Sequence, residues 1–363
     1  MSWNCRGISS SDSPAIPFLV WIVRKFSLNV LFLMETHLND EGVGRLCLAL
    51  GFDFCDFVFE SSSAGGLAVF WSNQVNLRVS SKCLSFFQCK IEEGLYDNLV
   101  EWNLLLFYGS PYLASRNQTW ADLSYQLAST NLPVIIQGDF NQIESLGQKW
   151  GGRDTIPGGR AFSNWKTNWE LTDIPFHGVP FTWCNNRTDN HRVYERLDRA
   201  IATQDWLQLY PEATVINFPI CLPDHGPVLL TTTPTGSKRR SRDLIRNCWG
   251  EVSVGSPMFS CTSKIKKVRY DLFRWCQQYK KQNHIMWEDL NESCTKAQLT
   301  IGRGSTITDE QQIRQQSMEK ATIKLKFWRQ RAKGKWLELA DSNTKFFFRH
   351  AKGRKKKNEI LLL

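Results

Sequence analysis

Short apolar runs, each closed by a polar or acidic residue, recur through the first two thirds of the chain. Residues 28–34, 66–71, 102–108, 132–137, 180–184 and 226–232 are such runs, rich in β-branched and aromatic residues, and they predict strands. Between them, residues 14–26, 39–50, 115–130, 159–170 and 203–209 read as helices. In the third helix Trp120, Leu123 and Leu127 fall at i, i+3 and i+7, a stripe that faces a core. Strands separated by helices and loops predict an α/β protein.

Composition adds a division. The chain has 363 residues, of which 42% are hydrophobic, enough for one large or two moderate domains. Its net charge of +10 is unevenly spread. Residues 1–237 hold 16 Lys+Arg against 23 Asp+Glu, a balance of −7, whereas residues 238–363 hold 29 against 12, a balance of +17. The break coincides with the Thr/Pro/Gly/Ser-rich run at 231–237. Three parts are expected: a globular body at 1–235, a linker at 236–262 and a basic, mostly helical extension at 263–363, helical over 264–301 and 308–350. The extension either suits a polyanion or presents a solvated helical surface.

No run reaches the ~18–20 apolar residues that span a bilayer. The start of the chain lacks the basic-then-apolar pattern of a secretory signal. Neither a membrane, secretion nor an obligate protein partner is therefore expected. The eleven cysteines form no C-x-x-C pair, which gives zinc no support and implies reduced thiols in cytosol or nucleus. The basic runs Lys238-Arg239-Arg240 and Lys355-Lys356-Lys357 are compatible with nuclear entry.

The sharpest chemical signal is Gly138-Asp139-Phe140-Asn141, directly after the buried-strand run 132–137. Side chains two apart on a strand share a face, so Asp139 and Asn141 are expected to aim at one point, where they can hold a water and a phosphate oxygen. Other polar residues end apolar runs in turn: Asn4 within 3–7, Glu35 after 31–34, Tyr108 before Gly109, Thr182 within 181–183, Asp198 within 196–199, and Asp224 with His225 before 226–232.

In this order the set resembles the endonuclease/exonuclease/phosphatase superfamily, with its DNase I-like fold. The spacing of Tyr108-Gly109-Ser110-Pro111, Lys149-Trp150-Gly151-Gly152, Phe181-Thr182-Trp183 and residues 195–199 is similar to the endonuclease domain of plant LINE-type (non-LTR) retrotransposons. The resemblance covers roughly residues 1–235. It implies a four-layer α/β sandwich: two packed mixed, mostly antiparallel sheets flanked by helices, with the site at one edge. The implied activity is a Mg²⁺-dependent (or Mn²⁺-dependent) phosphodiester hydrolase that nicks double-stranded DNA.

The resemblance also implies roles. Glu35 would bind the metal, with Asn4 on the metal side or orienting the Asp, and Asp224 facing the metal side. Asp139 would position the water and act as base. An unperturbed Asp is a weak base at neutral pH, so its neighbours must raise it, or it must act by orientation. Asn141 would hold the water or a phosphate oxygen, and Tyr108 would reach the phosphate or merely pack. His225 would donate to the scissile phosphate with Asp198 as its carboxylate partner. Thr182 would lie near DNA, and Arg187 and Arg192, in the polar stretch 185–192, would reach phosphates or belong to an ordinary turn.

The stretch 326–360 resembles the linker that precedes reverse transcriptase in plant LINE frames, with Ala340 where Gly is expected and Phe348 where His is expected. No reverse-transcriptase core is present, so a truncated copy is expected, with RNA a further candidate partner of the extension. Two departures point toward a weakened enzyme. Pro223 replaces the usual Ser before Asp224-His225, removing a hydroxyl and an N–H and fixing φ. Only Met1-Ser2 precede Trp3, so a sheet edge is expected to be missing. The competing readings are an inactive nucleic-acid-binding remnant, or another branch of the superfamily such as an abasic-site endonuclease, a deadenylase or an inositol phosphatase.

Overall fold

Leu31 and Leu33 point to one side of their strand and Phe32 and Met34 to the other, and all four are buried. That is why the run is apolar at every position: its sheet is covered on both faces. A computed structural model describes residues 1–8, 13–59, 65–95, 98–187, 191–222, 224–232, 287–301 and 310–315.

In chain order the elements are β1 (Ser2–Asn4), α1 (Ala15–Phe26), β2 (Val30–Met34), α2 (Asp40–Leu50), β3 (Phe54–Val58), β4 (Leu67–Trp71), β5 (Asn76–Lys82), β6 (Phe86–Leu95), β7 (Asn98–Tyr108), α3 (Leu113–Ala128) and β8 (Val134–Asp139). Next come β9 (Lys149–Trp150), α4 (Gly159–Asn168), β10 (Thr172–Asp173), β11 (Phe176–Gly178), β12 (Trp183–Cys184), β13 (Tyr194–Glu195), β14 (Asp198–Ala202), α5 (Gln204–Leu209), β15 (Thr214–Asn217) and β16 (Val228–Thr231). A further helix, α6, covers residues 287–299.

The strands form a seven-stranded sheet, β11-β15-β16-β1-β2-β4-β3, a six-stranded sheet, β10-β14-β8-β7-β6-β5, and a small three-stranded sheet, β12-β13-β9. The two large sheets are mixed and mostly antiparallel: only β11–β15 and β1–β2 in the first, and β7–β8 in the second, are parallel. Phe32, Met34 and Val69 of one sheet meet Phe87, Leu104, Leu106 and Ile135 of the other in the central core. Helices α1 and α2 cover the outer face of the first sheet and α3 and α4 that of the second, where Trp120, Leu123 and Leu127 are buried as their spacing requires. The result is the expected four-layer DNase I-like sandwich. No described helix is long and apolar enough to cross a membrane.

One expectation needs correcting. The first strand is not a sheet edge: β1 lies between β16 and β2, with Ser2 opposite both Val228 and Phe32. The described part of the extension packs on the body. Trp287, Leu290 and Cys294 of α6 are buried against α1, with Trp287 packed 5.5 Å from Phe18. The linker 236–262 and the predicted helical runs 264–286 and 316–350 lie outside the described residues.

A buried charge network holds the back of the six-stranded sheet. Asp173 of β10 pairs with Lys166, Arg196 and Arg199, and Glu144 pairs with Lys166 and Arg199. Burial pushes the Asp173 carboxyl up, but Arg199, Lys166 and Arg196 more than offset this and hold it below its ordinary value. A carboxylate with a depressed pKa stabilises the fold above its unfolded pKa of ~3.9 and loses that contribution as pH falls through its lower folded value. Asp173→Asn is expected to cost roughly 2–3 kcal/mol at pH 7, less than a fully buried orphaned charge because the side chain is 24% exposed. Thermal melts at pH 7 and pH 3 check it: the parent should lose more stability in acid than the variant does.

Candidate active site

Three neighbouring strands of the six-stranded sheet end side by side. Asp139 closes β8, Tyr108 sits beside it in register on β7, and Asp198 opens β14 directly opposite it. Along β8 the side chains of Ile135, Gln137 and Asp139 share the face turned to the other sheet, as the two-residue period demands. Gln137 uses that position to donate to Ser2 Oγ and the Val228 carbonyl, tying the two sheets together just below the site. From the other side, β1 runs parallel to β2 with Asn4 beside Met34, which brings Asn4 against Glu35.

Asp139 and Asp198 are a directly opposed pair of buried carboxylates, which repel. His225 resolves the conflict by lying between them. Its Nδ1 is 2.9 Å from Asp198 Oδ2 and its Nε2 is 3.7 Å from Asp139 Oδ2. Burial pulls the imidazole pKa down, but Asp198 and Asp139 outweigh it and raise it to about 10, so the ring is an imidazolium at neutral pH. Burial, and then Asp198, push Asp139 up to about 7 against the opposing pull of His225. The sequence required a perturbed Asp139 if it was to serve as a base, and its surroundings supply the perturbation.

Asp139 is also held by hydrogen bonds. Its Oδ2 accepts from Asn4 Nδ2 at 3.1 Å and its Oδ1 from the Asn141 backbone N–H at 2.8 Å. Asn141 therefore meets Asp139, but not through the strand period. The strand ends at Asp139 and Asn141 has φ of +49°, a left-handed turn that Asn tolerates well. Its Nδ2 donates to the Gly109 carbonyl at 2.8 Å and lies 3.3 Å from Asp139 Oδ2.

Glu35 accepts twice on one oxygen: Asn4 Nδ2 and Tyr108 OH both donate to Oε1 at 2.8 Å. Burial, with the charges of Glu35 and Asp139, pushes the Tyr108 phenol well up, so it remains a hydrogen donor. No described residue donates to Glu35 Oε2, which leaves a half-buried hard oxygen of the kind Mg²⁺ takes, the rest of its shell being water. The residues present thus fit a hard divalent cation at Glu35 with Asn4 beside it. Asp224 is less available. Its Oδ2 pairs with Arg6 and accepts from Trp183 Nε1, while its buried Oδ1 has no hydrogen-bond partner among the described residues. The ligand atoms of Asp139, Asp198 and His225 also lie within 4.8 Å of one another. Nδ1 of the ring is already committed to Asp198 at 2.9 Å, however, so that trio reads as a proton-bearing ladder.

The residues assigned to DNA fall in different places. Thr182 is fully buried, and its Oγ1 accepts from the Asp198 N–H at 2.9 Å while its carbonyl accepts from Gly226 N. It anchors the carboxylate and the His loop. Arg192 is 2% exposed, donates to Tyr194 OH and pairs with Glu310, so its charge is satisfied inside the protein. Arg187 is exposed, as a phosphate contact requires. Thr188–Asn190 and Pro223 lie outside the described residues.

Sequence reading missed three supports. Trp3 Nε1 donates to the His225 carbonyl at 3.0 Å, Trp183 Nε1 reaches Asp224, and Arg6 pairs with Asp224. All three stand inside motifs already singled out, at 3–7 and 181–183, where Asn4 and Thr182 were chosen instead.

The profile of the Endonuclease/Exonuclease/phosphatase family matches residues 1–215. Among solved structures the chain is similar to a 3′-5′ exonuclease (NExo) from Neisseria meningitidis, at 15% identity over 63% of this chain and 97% of that one, with a TM-score of 0.48. It is similar to the AP endonuclease LMAP from Leishmania major, at 17% identity over 64% and 87%, with a TM-score of 0.49. It is similar, too, to the endonuclease domain of TRAS1, a telomere-specific non-LTR retrotransposon, at 14% identity over 64% and 97%, with a TM-score of 0.47. No curated protein gives a match. With more than half of its length matched by that profile, and with the matched segment folding into this sandwich, the chain belongs to the endonuclease/exonuclease/phosphatase family.

Proposed function

We propose that the protein is a Mg²⁺-dependent endonuclease that nicks double-stranded DNA, derived from a LINE-type retroelement. One observation carries the nuclease reading: the Asp198–His225–Asp139 ladder meets the Asn4–Glu35–Tyr108 cluster at one end of the two sheets. A phosphodiester bond needs on the order of 20 kcal/mol of transition-state stabilisation, which takes an oriented nucleophile and fixed charge at the phosphoryl oxygens. Asp139, raised toward neutrality, orients a water and accepts its proton. His225 keeps its charge through Asp198, and the 3.7 Å gap from Nε2 to Asp139 is too long for a hydrogen bond, so that N–H is free to donate to a phosphoryl oxygen. Asn141 and Tyr108 fix the two carboxylates. A divalent ion at Glu35, when bound, would supply positive charge to the scissile phosphate.

The retroelement origin rests on the motif spacing and on the resemblance of residues 326–360 to a pre-reverse-transcriptase linker, a stretch outside the described residues. In this reading residues 1–235 are the nuclease, 236–262 a linker and 263–363 a basic extension that binds nucleic acid, RNA included.

Supercoiled plasmid is the direct test. Purified protein with Mg²⁺ is expected to give open circles, EDTA to stop this, and Glu35→Gln to raise the Mg²⁺ concentration needed for half-maximal rate by about tenfold or more. A folded protein that binds plasmid yet leaves it supercoiled at every Mg²⁺ or Mn²⁺ concentration would overturn the reading in favour of an inactive remnant. Cleavage confined to abasic duplex would reassign the substrate.

A further inference from the structure

The family profile stops at residue 215, yet His225 and the α6 helix both lie beyond it. These two regions touch. Gln298, 2% exposed near the end of α6, grips Ile220 by both backbone groups: Ile220 N donates to Gln298 Oε1 at 2.9 Å, and Gln298 Nε2 donates to the Ile220 carbonyl at 3.1 Å. Ile220 stands five residues before His225 and is itself fully buried. Gln298 Nε2 also donates to Glu310 Oε1 at 3.0 Å. Glu310 is 3% exposed, and its other oxygen takes Arg192 and the Tyr194 hydroxyl.

A second path reaches the same loop from its far end. Trp287 packs on Phe18, Phe18 meets Trp3 edge-on at 5.5 Å, and Trp3 Nε1 donates to the His225 carbonyl. The polar arm between β12 and β13 is held as well: Arg192 and Tyr194 bind Glu310 at its base, and Arg314 Nη1 donates to Asn186 Oδ1 at 2.7 Å. A buried Gln whose three hydrogen bonds all go to a loop backbone and one buried acid contributes nothing to solubility or surface charge. Left without Gln298, the Ile220 N–H and carbonyl would be buried and unpaired, so the loop would move to find water.

We propose that residues 287–301 and 310–315 are a working part of the nuclease, a clasp in which Gln298 is the positioning residue for the His225 loop and Glu310 the positioning residue for Arg192 and Tyr194 at the start of β13. The clasp rests on the nuclease reading for its catalytic consequence but not for its existence. It assigns these two stretches of the basic extension to the catalytic unit and leaves the nucleic-acid-binding role to the rest of it.

The test uses the full chain. Gln298→Met keeps the length and apolar stem but removes all three hydrogen bonds. Plasmid-nicking kcat is expected to fall about 10–100-fold, with KM changed less than about twofold, because displacement of His225 by ~1 Å costs the transition state and not DNA binding. Amide exchange in residues 218–222 should speed up by about tenfold or more, while residues 134–139 of β8 stay protected. The double variant Arg192→Met/Glu310→Met removes both charges together and is expected to redistribute nick positions along one plasmid. Unchanged kcat and unchanged exchange at 218–222 would overturn the role of Gln298, as would exchange rising equally in β8, which would make α6 a general stabiliser. An unchanged nick pattern in the double variant would overturn the role of Glu310. If the parent chain does not nick, the nuclease reading fails, and the exchange measurement still decides the clasp.

Discussion

Asp139→Ala should lower the plasmid-nicking kcat by ~10³-fold or more, with His225→Ala close behind, and both proteins should remain folded. The size stems from the geometry. General-base catalysis contributes ~10²–10⁴-fold, and a charged donor to a phosphoryl oxygen contributes ~10²–10³-fold. Asp139 touches His225, Asn4 and Asn141, so its loss removes the base and also frees three groups it orients. Asp198→Asn should cost less than Asp139→Ala. It keeps a group beside Nδ1 but removes the nearer of the two charges that hold His225 near a pKa of about 10. Because the ladder acts as one unit, the double variant Asp198→Asn/His225→Ala should be no slower than His225→Ala alone. Single-turnover kinetics on supercoiled plasmid check both points. Full additivity in the double variant would mean that Asp198 and His225 act separately.

Gly138→Ala is expected to be the most damaging glycine-to-alanine change among the described residues. A Cβ built at Gly138 would lie 1.8 Å from the Phe107 carbonyl oxygen of the neighbouring strand and 2.8 Å from its carbon. Those are backbone atoms inside a sheet, bonded to their neighbours, and they have no rotamer with which to retreat. Separating β7 from β8 is the only relief, at a cost of roughly 3 kcal/mol or more. For a body of this size that is a fall of ~6–12 °C in Tm, measurable by calorimetry. Activity should fall further than stability does, since Asp139 and Tyr108 sit at the parting ends of those strands. Gly44→Ala is the control: its Cβ would meet nothing within 4 Å on α2, and helix propensity favours alanine there, so Tm should hold or rise slightly.

The elements legible in the sequence were those with both faces or one whole stripe buried. The runs at 28–34, 102–108 and 132–137 became β2, β7 and β8, and the helices at 14–26, 39–50 and 159–170 fell within one or two residues of their observed ends. Strands that were not anticipated, such as β5 and β15, alternate buried with more exposed positions and so show no apolar run. The candidate site residues Asn4, Glu35, Tyr108, Asp139, Asn141, Asp198 and His225 were picked out as polar groups placed where apolar runs stop. Each of them touches another in the fold.

The sequence by itself therefore determined the buried elements, the family and the residues at the strand ends, because burial and strand termination leave a local imprint on residue type. Tertiary structure alone decided which of those residues oppose one another. That Asp139 faces Asp198 is set by the antiparallel register of β8 and β14, which no local pattern encodes. It also decided that Thr182 and Arg192 turn inward while Arg187 faces solvent. A polar side chain looks the same in sequence whether its partner is DNA or a glutamate 118 residues further on, as Glu310 is for Arg192. Side-chain chemistry is written along the chain, but pairing depends on contacts between segments far apart in it, and those exist only once the sheets have closed.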